Sequence, residues 1–96
     1  MNVQQNNALI HLAKEKFVKY AKDNPEKMNL IEFKHFLNDF FKDEKEVLEK
    51  IDAEAIFKEF SKEDSNSLTE REFREAYKDL KISRARTNDN IDFLNN

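Results

Sequence analysis

Apolar positions along the chain recur at the spacing of a helix, and the pattern is repeated forty residues later. Residues 13–40 carry an apolar helical face, a mainly polar stretch and a second apolar helical face, and residues 53–80 follow the same plan without a gap. The aligned apolar pairs are Ala13 with Ala53, Phe17 with Phe57, Tyr20 with Phe60, Met28 with Leu68, Phe33 with Phe73, and Phe40 with Leu80. Lys16 departs from the pattern, since it aligns with Ile56. The repeat predicts two copies of one helix–loop–helix unit.

The periodicity predicts four long helices and one short helical linker. The long helices are expected over residues 8–21, 30–42, 52 to 60 or 62, and 70–81, and the linker over 43–52. Capping patterns support three starts: Asn29-x-x-Glu32, Asp43-x-x-Glu46 and Thr69-x-x-Glu72. No strand-like alternation lasts four residues, so the fold class is predicted to be all-α.

Both ends of the chain are polar and are predicted to be flexible termini. These are residues 1–7 and 82–96, and the second has only Ile91, Phe93 and Leu94 as apolar anchors. Residues 8–81 are then expected to form the single domain that a chain of 96 residues allows.

Composition narrows the possible functions. The chain has no cysteine and no glycine, which excludes disulfides, thiolate metal sites and glycine-rich phosphate loops. A net charge of −3 and the lack of a basic helix face argue against nucleic acid as a partner. No apolar run is long enough for a membrane span, and no signal peptide is visible, so a cytoplasmic location is expected by default.

Two helix–loop–helix units with this spacing resemble the EF-hand family. The resemblance covers residues 9–40 as a first hand and 53–80 as a second, each with a loop of twelve residues, 21–32 and 61–72. It implies a four-helix EF-hand pair in which Met28 and Leu68, at the eighth loop position, lie in a short β-bridge between the loops.

The resemblance implies calcium ligands at loop positions 1, 3, 5, 7, 9 and 12, with a sharp turn at position 6. The first loop has Ala21 and Pro25 where oxygens are required, so no calcium is expected there. In the second loop the implied ligands are Ser61, Glu63, Ser65, Ser67, Thr69 and Glu72. Asn66 is expected to make the turn with positive φ. With two carboxylates, the affinity is expected to be weaker than about 10⁻⁵ M, or absent.

Simpler interpretations of these residues remain open. Glu32 and Glu72 are also the acidic members of the two capping patterns, which need no metal. His11 and His35 lie on separate predicted helices and are expected to be surface residues. No nucleophile lies in a catalytic arrangement, so the chain is predicted not to be an enzyme.

The resulting hypothesis is a small adaptor that resembles a myosin light chain and binds an amphipathic helix of a partner protein, largely without calcium. The predicted partner groove is lined by Phe36, Leu37, Phe40, Phe41, Phe57, Phe73 and Tyr77. A homodimer like those of S100 proteins is a further possibility. The alternative hypothesis is a calcium sensor or buffer with one weak site in the second loop.

Overall fold

The protein is described by a computed structural model that covers the backbone of residues 2–95 and the side chains of residues 8–83. Helices make up most of this range, and two strands of two residues each lie between them. In chain order the elements are α1 (Asn2–Tyr20), β1 (Lys27–Met28), α2 (Leu30–Phe40), α3 (Lys45–Lys50), α4 (Ala53–Phe60), β2 (Leu68–Thr69) and α5 (Glu70–Asn95). This mostly helical fold agrees with the apolar periodicity of the sequence.

Side chains cap the starts of α2, α4 and α5 by accepting otherwise free backbone N–H groups. Before α2, Asn29 Oδ1 accepts the N–H of Glu32 at 2.8 Å, and Glu32 Oε1 accepts the N–H of Asn29 at 3.0 Å. The same reciprocal pair joins Thr69 and Glu72 at the start of α5. Asp52 caps α4 by accepting a backbone N–H three residues later. The capping boxes predicted at Asn29 and Thr69 are therefore confirmed.

The third predicted cap, Asp43 with Glu46, is wrong. Helix α3 is preceded by Glu44, and no side chain caps it. The N–H of Glu44 donates to the carbonyl oxygen of Phe41 at 2.9 Å, so a turn carries the chain past Asp43 before the helix begins. The short helical linker itself is confirmed, over Lys45–Lys50.

Two predicted helix ends also differ from the structure. Helix α1 begins at Asn2, ahead of residue 8, and α5 continues to Asn95, well beyond residue 81. Neither terminal segment contains proline or glycine, so nothing in the backbone chemistry stops the helix there. The predicted tail anchors Ile91, Phe93 and Leu94 lie outside the residues whose side chains are described.

The core lies between α1, α2, α4 and α5 and is rich in aromatic residues. Phe36 is its centre, with ring centroids 4.8 Å from Phe73 and 5.9 Å from Tyr77. Phe17 also meets Phe73, and Phe33 meets Phe57, so rings of one repeat pack against rings of the other. The two units therefore share one core.

The two interhelical loops are joined by a short antiparallel sheet. Strands β1 and β2 pair with Lys27 opposite Thr69 and Met28 opposite Leu68. The side chains of Met28 and Leu68 are both 0% exposed. These two residues are equivalent positions of the repeat, and their pairing holds the loops side by side.

Candidate functional site

Each loop contains a turn that is closed by an Asx side chain at its fourth position. In the second loop, Asp64 Oδ1 accepts the N–H of Asn66 at 3.0 Å, and Asp64 Oδ2 accepts the hydroxyl of Ser67 at 3.1 Å. In the first loop, Asn24 Oδ1 accepts the N–H of Glu26 at 2.9 Å. In both loops a backbone bond of about 3.1 Å also links the Asx carbonyl oxygen to the N–H three residues later. An Asx turn of this kind needs no left-handed residue.

The prediction that Asn66 has positive φ is therefore wrong. No residue within 2–95 has positive φ. The Asp64 side chain closes the turn around Asn66 with ordinary backbone angles, so the turn at loop position 6 forms without a left-handed residue.

The last residue of each loop is a glutamate whose carboxylate closes the loop on itself. Glu72 Oε2 accepts the N–H groups of Lys62 and Glu63, both at 3.0 Å, while Oε1 accepts the N–H of Thr69 at 3.0 Å. Glu32 repeats the arrangement forty residues earlier, with bonds of 2.9, 3.1 and 3.0 Å from Lys22, Asp23 and Asn29. We call Glu32 and Glu72 the latch glutamates, since each ties the start of its loop to the start of the next helix.

The electrostatics of the second loop favour ionised carboxylates. Partial burial raises the pKa of Glu72, but the bonds from Thr69, Glu63 and Lys62 outweigh it, and the net pKa lies below its ordinary value. The pKa of Asp64 is lowered mainly by the N–H of Asn66, with smaller contributions from Ser67 and from Lys27 in the opposite loop. Lys27 Nζ lies 3.7 Å from Asp64 Oδ2, which links the two loops beyond the sheet.

Three of the predicted calcium ligands of the second loop make hydrogen bonds within the loop. Glu72 is occupied by backbone N–H groups, Ser67 donates to Asp64, and Thr69 caps α5. Glu63 and Ser65 are exposed. Among the described side chains, no three acidic or histidine residues come close enough to hold a metal ion. In this arrangement both carboxylate oxygens of Glu72 already accept backbone N–H groups.

Ser61 is the exception within this set. It is only 6% exposed, and its Oγ has no hydrogen-bond partner in the described part of the chain. Its counterpart in the first loop, Ala21, is equally buried and has no hydroxyl. Burying a hydroxyl without a hydrogen bond costs free energy. Ser61 therefore either lowers the stability of the fold or is the ligand of a group bound at the loop.

The residues of the predicted partner groove are mostly core residues in this structure. The six that are buried are Phe36, Leu37, Phe41, Phe57, Phe73 and Tyr77. Phe40, the seventh, is half-buried. These side chains form part of the shared core and do not line an open groove in this structure.

Three residues of the predicted groove, Phe36, Phe40 and Tyr77, line a surface cleft between α1, α2 and α5. This cleft has a volume of about 280 Å³. We call it the lysine-rimmed cleft, and it is lined by Lys16, Tyr20, Phe36, Asp39, Phe40, Lys42, Asp43, Tyr77 and Lys81. The sequence signal that indicates it is Lys16, the one residue that breaks the apolar match between the repeats.

Two further sequence predictions concern the exposure of the histidines and the lack of a membrane-spanning segment. His11 and His35 are both exposed, as predicted. In the part of the chain that the structure describes, no helix is both long enough and apolar enough to cross a membrane.

Comparison with known proteins adds no relative: no protein-family model, curated protein or solved structure matches the chain.

Proposed function

We propose that the chain is a pair of EF-hand units that serves as a non-enzymatic adaptor and binds an amphipathic helix of a partner protein, largely without calcium. The pair of units would comprise residues 9–40 and 53–80. Three features support this proposal: the forty-residue repeat, the matching hydrogen bonds of the two loops, and their antiparallel pairing through Met28 and Leu68.

The observation that carries the calcium independence is the engagement of Glu72. A bidentate calcium ligand must offer both carboxylate oxygens to the ion. In this chain both oxygens accept backbone N–H groups, and Glu32 does the same in the first loop. Calcium would have to displace bonds that already satisfy the loop, with only one other predicted carboxylate ligand, Glu63, to compensate.

A calcium titration followed through backbone amide signals tests this part of the proposal. We expect no saturable change below about 100 µM calcium, and in particular none at the amides of Lys62 and Glu63, which report the latch. Saturable binding that is lost in Glu72→Gln and kept in the exposed control Glu75→Gln would contradict the calcium-independent adaptor.

The adaptor role itself depends on the aromatic core. To bind an amphipathic helix, the helices of the protein would have to separate. The apolar face of the partner helix would then replace contacts that these helices now make with one another. The test is capture of partners on the immobilised chain, in calcium and in chelator, followed by binding of the isolated partner segment. We expect a helical segment that binds equally in both conditions. A segment that binds only as an extended chain, or only with calcium, would contradict the proposal.

One observation favours the alternative, a calcium sensor or buffer. Ser61 lies at the first position of the second loop, and its buried Oγ lacks a partner. The same titration with Ser61→Ala separates the two functions. Binding below about 100 µM that weakens in this variant favours the sensor, and unchanged amide signals in both proteins favour the adaptor.

A further inference from the structure

The floor of the lysine-rimmed cleft is made of aromatic rings. The ring centroid of Phe40 lies 5.6 Å from that of Phe36 and 5.8 Å from that of Tyr77. On the α1 side, Tyr20 makes an edge-to-face contact with Phe36, with ring centroids 6.0 Å apart. The volume of about 280 Å³ lies just below the roughly 300–1,000 Å³ of small-molecule pockets. A cleft of this size and lining suits one large apolar side chain of a partner protein.

The rim of the cleft is locally basic, although the whole chain carries a net charge of −3. Lys16, Lys42 and Lys81 line it, and none of their ammonium groups forms an ion pair with a described residue. Lys81 Nζ lies 5.7 Å from the ring centroid of Tyr77, which keeps its charge at the mouth of the cleft.

Two aspartates also line the cleft, and they do not cancel this charge. Asp39 is 4.0 Å from Lys19, a lysine outside the lining, and is compensated by it. Asp43 has no lysine partner among the described residues, so it opposes the three rim lysines alone. The rim therefore keeps an excess of positive charge next to an apolar floor.

A hydrogen-bond donor adds to this chemistry. Tyr20 lines the cleft, and its hydroxyl is shielded from solvent without a hydrogen-bond partner in the described part of the chain. A phenol in this state lacks the acceptor that it normally finds when buried. The Tyr20 hydroxyl is therefore a donor within the cleft lining for which the described residues supply no acceptor.

We propose that the lysine-rimmed cleft docks an acidic amphipathic helix of a partner protein. One large apolar side chain of that helix enters the cleft, and glutamate or aspartate residues beside it meet the three lysines. This inference rests on the proposed function and deepens it, since it names the docking point and the charge of the partner. Complementary charge at the rim sets specificity and association rate, while the buried anchor supplies most of the affinity.

The test uses the full chain and two synthetic helical peptides of about 18 residues, a length at which an isolated helix is stable enough to study. Both peptides carry the same apolar stripe with a central Phe. One has Glu at the flanking positions and the other has Lys. Binding is followed by amide chemical shifts and by titration at low and at physiological salt.

We expect the Glu peptide to bind about tenfold more tightly than the Lys peptide, with the largest shifts at the cleft residues Lys16, Phe40 and Lys81. The preference should shrink as salt is added. Reversing the three rim lysines together, as Lys16→Glu, Lys42→Glu and Lys81→Glu, should invert it. A control with three exposed lysines outside the cleft, Lys14→Glu, Lys50→Glu and Lys58→Glu, should keep it.

Other outcomes overturn the inference. Tighter binding of the Lys peptide, a preference unchanged by the rim reversal, shifts confined to another surface, or binding of neither peptide would each do so. None of these touches the adaptor proposal, which is decided separately by whether a captured partner binds through a helix. If no captured partner binds through a helix but the preference for the Glu peptide holds, the cleft would bind acidic helices and the adaptor proposal would be wrong.

Discussion

At the scale of single residues, the latch glutamates explain how the loops hold their shape. Each carboxylate accepts three backbone N–H groups, and two of these lie at the far end of its loop. Such bonds to a charged acceptor are stronger than neutral ones, and losing them would leave the N–H groups without partners. The negative charge that holds each loop together is therefore the carboxylate of its own latch glutamate.

The first prediction concerns the latch itself. Glu72→Gln replaces one carboxylate oxygen by an NH₂ group, which cannot accept a hydrogen bond from the loop N–H groups. We expect the free energy of unfolding to fall by about 1–3 kcal/mol, measured by urea denaturation. The exposed control Glu75→Gln should change it by less than about 0.5 kcal/mol. Equal stability of the two variants would show that the latch contributes little.

The second prediction concerns Ser61. Its buried hydroxyl has no partner, and the equivalent Ala21 shows that a methyl group fits the same place in the fold. Ser61→Ala should therefore raise the free energy of unfolding, by about 1 kcal/mol. Ser65→Ala, at an exposed position of the same loop, serves as the control. A loss of stability in Ser61→Ala would mean that the hydroxyl has a partner in solution.

At the scale of elements, α3 differs from every other helix that packs on the core. No residue of Lys45–Lys50 is buried, and no side chain caps its start. Leu48 within the helix and Ile51 just after it are only partly buried against the core. A six-residue helix with neither a cap nor a buried face has little to hold it folded.

The third prediction follows from that contrast. Amide hydrogen exchange in α3 should be fast, through local opening, while amides around Phe33, Phe36 and Leu37 in α2 should exchange only on global unfolding. Native-state exchange measured by NMR separates the two classes. Protection of α3 as strong as that of α2 would contradict this prediction.

The sequence predicted those elements whose signals are local. Capping at Asn29 and Thr69 depends on residues three positions apart. The Met28–Leu68 pair is not local, but the internal repeat places the two residues at equivalent positions. The burial of the predicted groove residues could not be predicted from the sequence, because it depends on how closely helices that are far apart in the chain pack together. The turn at Asn66 was mispredicted because Asp64, two residues earlier, provides another way to close it.

At the scale of the whole molecule, the folded state binds protons less tightly than the unfolded chain at two carboxyls of the second loop. The folded pKa of Glu72 lies below its ordinary value of 4.5, and that of Asp64 below 3.8. The stability they contribute is therefore complete above those ordinary values and is lost as the pH falls through the lowered ones.

The fourth prediction is a decline in stability on acidification. The free energy of unfolding should be nearly constant down to about pH 5 and fall below it. The slope should be smaller in Glu72→Gln, which has no carboxyl to protonate at this position, than in the wild type. Urea denaturation at a series of pH values gives both curves, and identical slopes would contradict the role of Glu72.

The spacing of the latch bonds has a consequence for folding kinetics. Glu72 and Lys62 are ten residues apart, and loops of that length close in about 10–100 ns. The sheet joins residues forty or more apart, so it must wait for a much larger loop to close. We therefore expect the latched loops to form before the strands meet. Stopped-flow measurements should then find that Glu72→Gln slows folding, whereas Leu68→Ala mainly accelerates unfolding.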